Sequence, residues 1–92
     1  MVHSFEELVQ KRRAAEQARS RVRELRDRYG PPARGGWTSV QSDTYETAVR
    51  AWRDLDRDAN GAMADYARGG GGSLREVEDS VRRAAGDAES DL

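Results

Sequence analysis

A chain of 92 residues is one domain at most, and a domain of that size buries only about 60 to 65% of its unfolded surface. With 36% charged residues and no isoleucine the core is thin, and the composition lies near the border of disorder. The lack of cysteine excludes disulfide and thiol chemistry, no stretch of 18 apolar residues exists to span a membrane, and the first ten residues carry no signal-peptide pattern.

Ordering a residue costs about 1 to 2 kcal/mol, whereas burying a large apolar side chain returns about 1.5 to 3 kcal/mol. An isolated monomer is therefore expected to be marginal, and a partner would tip the balance. The net charge of −1 conceals an asymmetry: residues 1–36 hold nine basic and five acidic groups, and residues 37–92 hold seven and twelve. A basic helix facing an acidic one accounts for this better than binding to nucleic acid.

In chain order, Phe5, Leu8, Ala15, Ala18, Val22, Leu25 and Tyr29 recur in alternating steps of three and four, with Lys11 filling one position of the stripe. This predicts an amphipathic helix over 5–29 with a coiled-coil-like seam. Ser4 is placed to cap it, Glu6 and Glu7 suit its dipole, and Gly30-Pro31-Pro32 ends it. Arg12, Arg13, Arg19, Arg23 and Arg26 form a basic flank. No aromatic residue interleaves with them, and Glu16, Glu24 and Asp27 dilute the charge, so the flank reads as a face opposed to an acidic neighbour; a basic-helix nucleic-acid binder is a lesser alternative.

Residues 31–41 form a connector containing Pro32, Gly35 and Gly36, long enough for the flanking helices to fold back as a hairpin. The second helix is expected over 43–68, opening near Ser42 or Asp43, with Asp43 and Glu46 at capping-box spacing. Its stripe comprises Tyr45, Ala48 or Val49, Trp52, Leu55, Ala59, Met63 and Tyr66. Asp56-Arg57-Asp58-Ala59-Asn60-Gly61 matches the first six positions of a calcium-binding EF-hand loop. The twelfth position is Ala67 instead of a bidentate Glu, and no second loop pairs with it, so Asp56, Asp58 and Asn60 are a weak metal alternative to a solvated acidic face.

Gly69 to Gly72 disfavours helix by close to 1 kcal/mol per residue and predicts a flexible joint over 69–73; without a Lys and a preceding strand it does not read as a phosphate loop. A third, accessory helix follows over about 74–86, with Ser73 and Glu76 as a capping box and a thin stripe of Leu74, Val77, Val81, Ala84 and Ala88. An acidic tail closes the sequence, giving three units: a hairpin over 1–68, the joint, and an accessory helix with tail over 74–92. His3 has no second ligand or catalytic partner nearby in sequence, no nucleophile–base pair is visible, and no cofactor motif occurs, so the expected role is not enzymatic.

Trp37 in the connector, Tyr45, Trp52 and the run Ala59-Asn60-Gly61-Ala62-Met63 resemble the W-x-G family of small early secreted antigens, substrates of type VII (ESX) secretion. The resemblance covers roughly residues 5–68 and implies a helix-turn-helix hairpin that pairs, as homodimer or heterodimer, into a four-helix bundle. It departs from the family at three places: Ser39 stands where the motif has Gly, the tetraglycine interrupts the usual continuous helix, and Ala85 stands where the export signal ending at Glu89 would have a Tyr. The expectation is an all-α protein-binding hairpin whose partner, another small helical protein, supplies the export signal. Phe5, Leu8, Val22, Leu25, Tyr29, Trp37, Tyr45, Trp52, Leu55, Met63 and Tyr66 would form the interface. Localisation would then be extracellular by a signal-peptide-independent route, and cytoplasmic otherwise.

Overall fold

The computed structural model describes residues 3–31 and 36–90, with the side chains of 87–90 outside the description. Three α-helices follow one another among them, with no strand: α1 over Phe5–Tyr29, α2 over Ser39–Tyr66 and α3 over Leu74–Ser90. Pro32 and Gly35 of the expected connector, and the side chains of Ala88 and Glu89, lie outside the described residues.

The start and stop of α1 are where the sequence puts them. Ser4 Oγ accepts from the Glu7 amide at 3.1 Å, satisfying one of the free amides of the first turn. At the other end Gly30 takes φ 80°, and its N–H donates to the Arg26 carbonyl at 2.9 Å. A side chain there would be strained, and Pro31 cannot continue the helix.

The second helix begins four residues ahead of Asp43. Thr38 Oγ1 accepts from the Gln41 amide at 3.1 Å while Gln41 Oε1 accepts from the Thr38 amide at 2.9 Å, a reciprocal capping box. Asp43 and Glu46, expected to serve as cap, sit inside the helix instead. A Thr followed three residues later by Gln satisfies both end groups at once, so the earlier start wins.

The joint also differs in detail. Past Tyr66 the helix loosens over Ala67–Gly71, where Gly70 already leaves helical geometry at φ 101°, and the break is completed at Gly72, φ 116°. Beyond it the expected cap forms: Ser73 Oγ accepts from the Glu76 amide at 3.2 Å, and Glu76 Oε1 accepts from the Ser73 amide at 3.0 Å. Hydrogen bonding by the Ser73 amide, helped by the Ser73 side chain, holds the Glu76 carboxyl below the usual carboxylate range.

Helix α3 is more than an accessory. Val77, Val81 and Ala85 supply three of the seven buried residues of the main core cluster, against Leu8 and Val9 of α1 and Ala62 and Met63 of α2. The reason is covering power: two antiparallel helices bury one stripe each, and the third closes over the groove they leave. Val9, outside the α1 seam, is buried because it lies in this cluster. Leu74, counted in the α3 stripe, is 44% exposed.

The cluster lies at the end of the hairpin away from the connector. It uses the first turns of α1 and the last turns of α2, which the antiparallel hairpin brings side by side. The molecule is elongated as a result, 50 × 29 × 18 Å with a radius of gyration of 16.0 Å. A compact domain of the same length has a radius of about 12 Å.

Candidate partner-binding face

The eleven residues expected to meet a partner divide into three groups. Leu8, Val22, Leu25 and Met63 are buried within the chain itself, at 0 to 5% exposure. They belong to the intramolecular core, which corrects their placement in an intermolecular seam. The sequence marked their apolar spacing correctly but could not tell which neighbour would cover them.

A second group caps the two ends of the hairpin. At the connector end the rings of Tyr29 and Trp37 meet edge-on with centroids 5.4 Å apart, and those of Trp37 and Tyr45 at 5.0 Å. Trp37 Nε1 donates to the Gly30 carbonyl at 3.0 Å, so the indole closes the turn while its polar atom is satisfied. Arg26 reaches across from α1 and donates to Tyr45 Oη at 3.0 Å; this contact raises the arginine's already high pKa. At the far end Phe5 packs tilted against Tyr66, centroids 6.3 Å apart. Phe5 remains 37% exposed.

The third group is Trp52 and Leu55, at mid-helix. Trp52 is only half-buried and Leu55 is 36% exposed. Along α2, Tyr45, Val49, Trp52 and Asp56 are spaced by four, three and four residues and so share one face. Tyr45, Val49 and Trp52 are all half-buried.

That α2 face meets the arginine row of α1. Arg12 Nη1 donates to Asp56 Oδ1 at 2.9 Å and its Nη2 to Asn60 Oδ1 at 2.8 Å, while Asn60 Nδ2 donates to Asp56 Oδ2 at 3.3 Å. Arg12, Glu16 and Arg19 of α1, Trp52, Asp56 and Asn60 of α2, and Glu78 and Arg82 of α3 line a cleft of about 410 Å³ where the three helices converge. The sequence predicted an acidic neighbour for the basic flank. It did not identify Arg12 as the residue that reaches it.

The calcium alternative loses its geometry here. Residues 56–61 are continuous α-helix, not a loop, and so cannot fold around an ion. Asp56 and Asn60 are engaged by Arg12, and Asp58 Oδ2 accepts from Lys11 Nζ at 2.7 Å. No three metal-binding side chains gather among the described residues. His3, solitary in sequence, lies 3.5 Å from Glu7 and 3.8 Å from Asp65, a contact across α1 and α2 that no local signal announced.

No helix among the described residues is long and apolar enough to cross a membrane. No protein-family model matches the sequence, and no curated protein or solved structure matches it.

Proposed function

We propose that this chain works by binding another small helical protein through the connector half of its hairpin, in the manner of the type VII secretion substrates its aromatic pattern resembles. The observation that carries this reading is Trp52. It is the largest side chain at the middle of α2, and yet it stays half-buried beside exposed Leu55. The core cluster to which α3 contributes lies towards the opposite end. Trp52 lines the far edge of the cleft it shares with Glu78 and Arg82 of α3, and from there toward the connector the apolar faces of a two-helix hairpin need a further surface to enclose them. Large aromatic side chains of this kind are the usual anchors of a binding surface.

Under this reading the partner completes the core along Tyr45, Val49, Trp52 and Leu55 and brings the export signal, so the pair would leave the cell together. Sedimentation equilibrium of the chain, alone and with candidate small helical proteins, tests the association. Trp52→Ala should weaken it by about 2 kcal/mol or more. The same substitution should cost the lone chain less than the 3 to 5 kcal/mol typical of a fully buried Trp. An unchanged mass and association constant in Trp52→Ala would remove the reading.

A further inference from the structure

Met63, Tyr66, Gly70, Leu74, Val77, Val81 and Ala85 follow one another by three, four, four, three, four and four residues. Helical spacing therefore runs in phase through the tetraglycine, and with the joint helical the buried residues of α2 and α3 would share one stripe of a single helix. That helix, from 39 to 90, would be about 78 Å long. The whole molecule spans 50 Å, so the α3 part of such a helix would lie beyond its own hairpin.

The joint is what folds α3 back. Gly70 and Gly72 hold positive φ, and Gly71 lies so close to the Tyr66 ring that a Cβ would overlap it. Helices α1 and α2 are stapled to each other by Lys11 with Asp58, Arg12 with Asp56 and Asn60, and Arg26 with Tyr45. Among the described side chains, the hydrogen bonds and ion pairs of α3 stay within the helix and its cap, as in Ser73 with Glu76 and Arg82 with Asp79. Its hold on the hairpin is the apolar packing of Val77, Val81 and Ala85 with Leu8, Val9, Ala62 and Met63. Such packing is non-directional, so the helix can leave as a unit and form the same contacts on an identical surface.

We propose that α3 is exchanged between two copies of this chain: the joint straightens, and the Val77, Val81 and Ala85 face of each copy covers Leu8, Val9, Ala62 and Met63 of the other. A second copy is the occupant because the groove is already shaped to this helix, and exchange restores the same core contacts while releasing the glycine turn. The exchange stands apart from the association reading above, which concerns the connector half of the hairpin.

The test uses the full chain. Refolded from denaturant at high concentration, the wild type should yield a dimer fraction that refolding at low concentration does not. Gly70→Ala with Gly72→Ala strains the folded-back joint and favours the straight one. It should lower the dimer dissociation constant at least about a hundredfold in sedimentation equilibrium. Gly69→Ala, at a position that is helical in both arrangements, should leave that constant unchanged. To read the exchange itself, Arg19→Cys is added to one batch of the double variant and Arg82→Cys to another, both exposed positions that line one cleft between α1 and α3. Refolded together, the two batches should be joined chain to chain by a short bis-maleimide, and adding Trp52→Ala should leave that product intact.

A wild type that is monomeric after refolding at every concentration, or a folded double variant that stays monomeric, overturns the proposal. An equal shift in Gly69→Ala does so too, by assigning the effect to helix propensity and not to the turn. A dimer that gives no product between the two cysteine-bearing chains overturns it as well, since each α3 would still cover its own hairpin. Loss of the dimer with Trp52→Ala would assign it to the connector half, overturning the exchange and supporting the association reading.

Discussion

The ion pairs of this molecule differ in weight according to what surrounds them. Those within one helix, such as Arg57 with Asp54 and Arg82 with Asp79, are exposed on both sides and approach only to 3.8 and 3.9 Å, so each adds little. Arg12 is different, because its side chain is 15% exposed and its guanidinium bonds to two residues of the opposing helix. It fixes the register of α1 against α2 as well as adding charge attraction. Glu76 is exposed but titrates with consequence. Its folded pKa lies below the unfolded one, so its contribution to stability is present above the ordinary glutamate value and is lost as pH falls through the lower, folded value. Acid titration followed by helicity should therefore show α3 loosening from its first turn. Glu76→Gln, which keeps the acceptor oxygen without the charge, should flatten that part of the curve; an identical curve would deny the cap its pH dependence.

At the level of elements, most boundaries were readable because they depend on local chemistry. Ser4, Gly30 and the Ser73–Glu76 pair sit where their side chains or missing side chains answer the needs of a helix end. The start of α2 differs from the expected one because the chain holds two capping-box pairs, Thr38–Gln41 and Asp43–Glu46, and local spacing does not rank them. The tetraglycine shows the same limit at finer grain, since its four members do different things. Gly69 has a negative-φ backbone and open space around it, Gly70 and Gly72 hold positive φ, and a Cβ at Gly71 would run into the Tyr66 ring. Gly69→Ala should thus be neutral or stabilise by up to about 1 kcal/mol. Gly70→Ala should cost about 1 to 2 kcal/mol because of the left-handed backbone. Thermal melts of the two variants check the pair, and equal effects would mean the break is not held in this conformation.

For the whole molecule, the decisive contact is α3 on the hairpin. Removing residues 73–92 would uncover Leu8, Val9, Ala62 and Met63 together, a contiguous apolar surface on a chain with little core to spare. The truncated hairpin should lose cooperative thermal unfolding or self-associate, as judged by calorimetry and sedimentation. A monomer that melts as sharply as the full chain would show that two helices suffice. The arrangement also explains the shape, since α3 builds a core at one end while the other end consists of two helices and an aromatic plug.

The candidate face was legible only in part. Trp37, Tyr45 and Trp52 stand out as aromatic residues in a chain poor in them, and all three are half-buried, the first two at the connector end and Trp52 at mid-helix. Arg19 and Arg23 were visible as part of a basic flank, but nothing in one helix says which of its arginines will be neutralised by another.

The sequence by itself determined the helical class, the three helices, both ends of α1 and the start of α3, because periodicity and capping act within a few residues of chain. Only the tertiary structure decided which apolar stripe faces which. That choice depends on distant segments meeting: it turned Leu8, Leu25 and Met63 into internal core, enlisted α3 to cover Leu8 and Met63, and left Trp52 half-buried.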